Sequence, residues 1–379
     1  MSSAEKPYRL YRGGRVKGKV PQLPKLPEPG DGGGRRRINL RPSWRWLRWI
    51  PVGIALVIVF AIVWGTASYF QFRDGVSAAN KRLGTNVRQV LDDQHGSASD
   101  ILILGTDHAQ LAGRESAHRT DSITLLRIDS DKHRFAYLSI PRDLRIEIPG
   151  HGVSKVNSAM QLGGPPLAVQ TIKQLTDLPV NHIVVVDFSQ FQDLIDKLGG
   201  IDIDVPERIV SKFDCPYPTE ERCARWDGWR FAKGKQHMDG RRALIYARVR
   251  ENKLNPADTD FSRAEHNQQV LQAVIGKLSS FGTVFKLPFI GDDLLAPVAT
   301  DLGTHGFISL GWTKFRSSSG NTLHCRLGGE PSGGEIIPQE ENRSVIAMVT
   351  GDSAAQPPVP GSGAFGPGCV TGNRSLGVR

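Results

Sequence analysis

DILILGTDHAQLAGRESAHRTDSITLLRIDSDKHRFAYLSI, residues 100–140, contains three short runs of β-branched and large apolar side chains, DILILG, SITLLRID and RFAYLSI, each bounded by charge. Runs of this length and composition read as strands. Downstream the period changes. PPLAVQTIKQL (165–175) has helical spacing, and in FSQFQDLIDKLGG (188–200) Phe188, Phe191, Leu194, Ile195 and Leu198 fall on one helical face. HIVVVD (182–187) between them reads as a buried strand, and IDIDVP (201–206) alternates and stops at Pro206, as an edge strand does. MDGRRALIYARVR (238–250) reads as a short helix and FSRAEHNQQVLQAVIGKL (261–278) as a long one, with Val270, Leu271, Val274, Ile275 and Leu278 on one face. Strands alternating with helices over about 250 residues make one α/β domain with a substantial core.

Upstream, no charged residue occurs from Trp49 to Phe72. At about 1.5 Å per helical residue, that run crosses a hydrocarbon core of about 30 Å. It is apolar on all sides, unlike an amphipathic core helix. It is also longer than the apolar region of a signal peptide, and its end, WGTASYF, has no A-x-A cleavage site. Residues 1–48 carry 13 Lys/Arg against three acids, a net charge of +10 that equals the excess of the whole chain. The positive-inside rule places this tail in the cytoplasm and the large domain outside. The expected organisation is a basic disordered tail (1–48), a transmembrane helix (49–72) and a polar juxtamembrane spacer (73–98). A catalytic domain (99–350) and a Gly/Pro-rich disordered tail (351–379) follow. Because the basic excess lies wholly in the first tail, it reads as a topology signal touching anionic lipid, and no nucleic-acid partner is expected. Of the four cysteines, Cys215 and Cys223 lie close together in a loop and are expected to pair, which would leave Cys325 and Cys369 for each other. No CxxC or clustered His accompanies them, so a zinc site has no support.

The residues with chemistry gather at strand ends. ILILGTD puts Asp107 just past a strand, and HRTDS puts Arg119 and Asp121 just before the next. Ligands sit at the carboxyl ends of strands in open α/β sheets, although aspartates are also common in turns. Arg142 follows a strand-ending proline in SIPRD, Lys155 and Asn157 lie in GHGVSKVNSA, and YARVRENK and DFSRAEHNQQ add Arg248, Arg250, Asp260 and Arg263. Many fixed guanidinium groups suit a pyrophosphate.

ILILGTD, RTDS, SIPRD, KVNSA, FSQFQDLIDKLGGIDIDVP, GKQHMDGRRALIYARVR and DFSRAEHNQQVL, in this order, resemble the LytR-CpsA-Psr family of bacterial cell-envelope proteins over roughly two thirds of the chain. The resemblance implies an α-β-α sandwich around a central mixed β-sheet, with an apolar pocket for a polyprenyl lipid and a charged mouth for its pyrophosphate. It implies transfer of a glycopolymer from a polyprenyl-pyrophosphate carrier to a peptidoglycan hydroxyl, forming a phosphodiester and releasing polyprenyl phosphate. On this likeness Asp107 and Asp121 hold Mg²⁺ or Mn²⁺, and Arg119, Arg142, Lys155, Arg248, Arg250, Arg263 and Asn267 contact the pyrophosphate. Asp107, Asp121, Arg119 and Arg142 are then the catalytic set. The family's run of arginine and glutamines departs here at His266 and Asn267. A membrane-bound pyrophosphatase with water as nucleophile is the second reading. A transcriptional regulator is the third, and the cytoplasmic tail has no helix-turn-helix spacing to support it.

Overall fold

The computed structural model describes residues 49–106, 120–249, 251–255, 260–278, 280, 282–283, 286, 293–360, 362 and 365–372. The chain divides into two compact units, 1–56 and 57–379. The boundary falls within helix α1, Ile50–Leu83. Its most apolar window has a mean hydropathy of 2.4, the composition of a membrane-crossing helix. Two of its hydroxyls are satisfied within the helix: Thr66 Oγ1 donates to Ile62 O at 2.9 Å and Ser68 Oγ to Trp64 O at 2.8 Å.

The helix does not stop where the apolar run stops. It continues to Leu83, and Gly84, at φ +79°, ends it in the left-handed conformation. Val76, Ala79 and Leu83 are buried, and Val87 in the following turn Asn86–Gln89 is buried too. Arg82 donates to Leu295 O at 2.6 Å and Val298 O at 2.8 Å. Residues 73–98, expected as a spacer, therefore include part of the domain's own packing. The mean polarity of the segment hides an apolar stripe at helical spacing.

Seven strands form the central sheet: β1 Ala98–Thr106, β2 Thr120–Asp129, β3 Arg134–Ile140, β4 His182–Asp187, β5 Val298–Thr300, β6 Thr322–Arg326 and β7 Gly368–Thr371, in the order β5-β4-β1-β2-β3-β6-β7. The β1/β4 and β3/β6 pairs are parallel and the others antiparallel, so the sheet is mixed. Side chains alternate between its faces. Leu102, Leu104, Ile123, Leu125, Leu138 and Ile140 enter the main core, as do residues of α2 (Ser158–Thr176) and of α7 (Glu341–Thr350). Ile101, Leu126, Ile128, Phe135 and Tyr137 form a separate cluster on the opposite face. There α3 (Phe188–Lys197), α4 (Gly240–Arg248) and α5 (Asp260–Leu278) share a core with the strand Ile201–Val205. The helix α6 (Thr304–Arg316) lies near the exit of α1. The result is the expected α-β-α sandwich.

Local chemistry sets several boundaries. Gly163 and Gly164 break the first turn of α2 from the rest, which restarts at Pro165 and Pro166, where a missing N–H costs nothing. Gly240 opens α4 against α3, where a Cβ would come 2.0 Å from Gln192 O. Its N–H donates to Asp196 Oδ1 at 2.7 Å.

Two disulfides are present, Cys215–Cys223 and Cys325–Cys369. The second joins β6 to β7, which are paired through those two residues. The expectation of a disordered stretch from 351 onward fails for β7. Its Gly and Pro content masked one short edge strand, GCVT, held by a sheet register and a covalent bond.

Candidate functional site

The sheet face opposite the main core is not fully covered. Between it and the helices lies a cavity of about 620 Å³. Ile101, Ile103, Leu126, Phe135, Val184 and Val186 form its floor. Leu271, Val274, Ile275 and Leu278 of α5 line it, as do residues of α6 and the outer part of α1. Protein interiors are close-packed, so an apolar space this large is a binding site by default. Lys314 is its only charged lining residue among those described. Its ammonium sits 5.1 Å from the Phe135 ring centroid, and burial lowers its pKa.

Polar groups appear toward the carboxyl ends of β1 and β4. A smaller space there is lined by Gly105, Ser122, Thr124 and Asn267. It shares Ile103, Val186, Phe191 and Leu271 with the large cavity. The β1/β2 ladder shifts register at this point: Gly105 pairs with Ser122 and Thr106 with Thr120, leaving Asp121 as the extra residue of a bulge. Bulges beside sites re-aim side chains. The β2/β3 ladder pairs Ile123 with Ile140, so Asp121 and Arg142 leave the sheet at the same end.

Arg142 Nε donates to Asp143 Oδ2 at 3.2 Å, and Lys155 Nζ donates to Asp143 Oδ1 at 3.0 Å and to Gly334 O at 2.8 Å. One carboxylate thus orients two of the cations singled out in the sequence. Arg248 lies farther along the chain and pairs with Asp214 at 3.2 Å. Asp107, Arg119 and Arg250 lie outside the described residues; of Asp121 and Arg263 only the backbone is described, in β2 and α5.

His266 takes no part in the mouth. It is buried against Tyr246, ring centroids 4.4 Å apart, and burial lowers its pKa to about 4. It therefore adds no charge where an arginine would have, while its neighbour Asn267 faces the small space beside Gly105. Sequence reasoning missed one group. Asp187 ends β4, is 7% exposed and is paired in register with Thr106, the last residue of β1. HIVVVD ends in an aspartate just as ILILGT is followed by one, and that parallel was the available signal. Asn157, which the sequence singled out, is buried at the start of α2, and its Oδ1 has no hydrogen-bond partner among the described residues.

Residues 67–325 match the model of the LytR_cpsA_psr family. Among curated relatives, the chain is 31% identical over 232 residues to the polyisoprenyl-teichoic acid–peptidoglycan teichoic acid transferase TagV of Bacillus subtilis (strain 168), covering 60% of this chain and 55% of TagV. It is 34% identical over 211 residues to the regulatory protein MsrR of Staphylococcus aureus (strain COL), covering 56% of this chain and 58% of MsrR. The chain thus spans a little over half the length of these relatives. A solved structure of TagT bound to LIIa-WTA superposes with a TM-score of 0.51 at 26% identity, covering 68% of this chain and 91% of that one.

Proposed function

The chain belongs to the LytR_cpsA_psr family, and from that premise we propose that it transfers a cell-envelope glycopolymer from a polyprenyl-pyrophosphate carrier to a peptidoglycan hydroxyl. The observation that carries this reading is the continuity of the apolar cavity with the polar space at Gly105 and Asn267. A prenyl chain fits the first, and the second marks the polar end of the sheet, where Arg142 and Lys155 offer cations to a pyrophosphate. TagV's name as a teichoic acid transferase and TagT's bound LIIa-WTA support it.

In the proposed reaction the acceptor hydroxyl oxygen attacks the sugar-bearing phosphorus. The bridging P–O bond breaks, a phosphodiester forms, and polyprenyl phosphate leaves. Such chemistry is mostly positioning and charge neutralisation. Arg142, held by Asp143, would grip the pyrophosphate, with Lys155 on the same carboxylate. Arg119, Arg248, Arg250 and Arg263 would supply further cationic contacts, and Asn267 a neutral one. Asp187 is the described carboxylate nearest in register to the end of β1, and it would take the hydroxyl proton. The donor chemistry suits a hard cation: Asp107, which follows β1 in the sequence, and Asp121, the extra residue of the bulge, are both carboxylates. Asp107 and Asp121 would hold Mg²⁺ or Mn²⁺, which when bound would withdraw charge from the pyrophosphate oxygens. The charge asymmetry supports placing residues 1–48 in the cytoplasm and the domain outside.

The test is transfer of a polyprenyl-pyrophosphate-linked glycan to peptidoglycan by the full chain in bilayers. Products are identified by mass spectrometry, with and without a chelator. A phosphodiester-linked glycan is expected. Free glycan phosphate would make the protein a pyrophosphatase, and no turnover with either acceptor would overturn the reading.

A further inference from the structure

One exposed stripe of α6, bordering the cavity, is apolar. Ile308, Trp312 and Phe315 follow one another at i, i+4 and i+7 and are 52%, 60% and 77% exposed. The Trp312 and Phe315 rings stack at 5.9 Å. A surface helix normally turns charge outward on the face opposite its packed one. The sequence of α6, THGFISLGWTKFR, contains no acid and ends in Lys314 and Arg316. A contiguous apolar patch edged by cations marks an interaction surface, and interfacial helices combine aromatic residues on one face with Lys/Arg on the other.

Position identifies the partner. Phe307 of α6 meets Phe72 edge-on at 5.8 Å. Phe72 is the last residue of the charge-free run, so α6 begins at the level where α1 leaves the apolar phase. The cavity is lined from both helices: Gly65, Ser68 and Tyr69 belong to α1, and Ile308, Gly311 and Phe315 to α6. Gly65 lies about 10 Å along the helix axis from Phe72, within the depth of acyl chains.

We propose that α6 is seated in the membrane interface beside α1, and that the gap between the two helices is a lateral opening through which a prenyl chain passes from the bilayer into the cavity. This rests on the reading of α1 as a membrane span and of the cavity as the prenyl site. The opening lets an apolar chain move between two apolar environments without crossing water. Arg316, exposed at the end of α6, suits the phosphates of the lipid headgroups, whereas Lys314 turns into the cavity. Trp312 anchors the helix and is not among the residues lining the cavity.

The first measurement uses the full chain in vesicles of zwitterionic and anionic phospholipid containing no carrier. An environment-sensitive fluorophore is placed at 312 through Trp312→Cys, and at 332 through Ser332→Cys as a control. We expect quenching at 312 by lipids carrying a nitroxide high on the acyl chain, and none at 332. An unquenched label at 312 overturns the proposal while leaving the proposed function untouched. If that unquenched label accompanies a dimer, the face belongs to a second copy instead. The second measurement is uptake of a polyprenyl pyrophosphate by Trp312→Glu. Uptake from vesicles should slow at least ten-fold, and uptake from detergent micelles should match the parent. Equal uptake from vesicles overturns the opening, whereas loss of uptake by the parent protein in both media would count against the cavity reading itself.

Discussion

His266 and His324 are buried and neutral, each with its pKa lowered to about 4, desolvation being the main cause. Asp100 goes the other way: burial raises its pKa to about 6, despite Arg127 Nη1 at 2.5 Å. Their effects on stability oppose each other. The unfolded chain protonates its histidines near pH 6.5, before the native state does, so each histidine's contribution is lost as pH falls toward 4. Between pH 4 and 6 native Asp100 holds a proton that the unfolded chain has released, so its contribution is lost as pH rises. Two groups against one give a net loss of stability on acidification from about 6.5 to 4. His266→Gln should flatten that slope by up to about 1.4 kcal/mol per pH unit, one proton's worth, and Asp100→Asn should steepen it. Denaturant midpoints from pH 4 to 7 check this; an unchanged slope in His266→Gln would show that the imidazole already titrates in the native state.

Arg142 makes the sharper test of the site. Arg142→Ala should lower transfer by at least a hundred-fold and leave the melting temperature within a few degrees, because the side chain lies at a strand end and not in the core. Arg142→Lys should remain strongly impaired, since an ammonium lacks the planar two-point grip. Near-parental turnover by folded Arg142→Ala would remove it from the mechanism. Both Arg142 and Lys155 stand out in the sequence, but their sharing of Asp143 does not. A hairpin, Arg145–Ile148 with Gly152–Lys155, brings together residues 12 apart in the chain. His266 shows the complementary difficulty. In a linear pattern it occupies an arginine's place, and only the packing of α4 on α5 reveals that its ring meets Tyr246.

At the scale of elements, the two disulfides differ in what they close. Cys215–Cys223 spans 8 residues and ties a loop to the short helix Glu220–Arg225, whereas Cys325–Cys369 spans 44 and ties the edge strand β7 to β6. Chain-entropy arguments give about 2.5 kcal/mol for the first and about 4 kcal/mol for the second. Replacing both Cys325 and Cys369 by Ala should therefore lower unfolding free energy by more than the same change at Cys215 and Cys223. Guanidinium titrations of both variants measure the ranking, and the reverse order would show that β7 holds without its bond. The strands β1 to β4 and the helices α3 to α5 were legible because their apolar periods are clean. β7 was not, since four residues amid Gly and Pro carry no period and owe their place to a partner 44 residues away.

At the scale of the molecule, the cavity is the feature a sequence conceals most. Alternation along β1 to β3 says that both faces of the sheet are apolar, but not that the helices stand away from one of them. Leu271→Trp should fill part of that space. We expect the variant to fold, to copurify with less prenyl lipid, and to retain short-chain carriers better than long ones, as mass spectrometry of bound lipid and transfer assays with carriers of two lengths would report. Undiminished use of the long carrier would place the lipid elsewhere.

The unbroken run of α1 into the core has a further consequence. An enzyme on a flexible tether sweeps a hemisphere whose radius grows with the tether and finds its acceptor by wandering. Here Val76, Ala79 and Leu83 are already buried and Arg82 is bonded to two carbonyls within the first turns beyond Phe72. No slack chain separates anchor from domain. On the proposed membrane placement, the protein's search is confined to a thin layer over the bilayer and becomes diffusion in two dimensions. If the proposed transfer is its reaction, only those wall strands that come down to this height are within reach, and newly made peptidoglycan, still close to its own lipid carrier, is favoured over mature wall farther out.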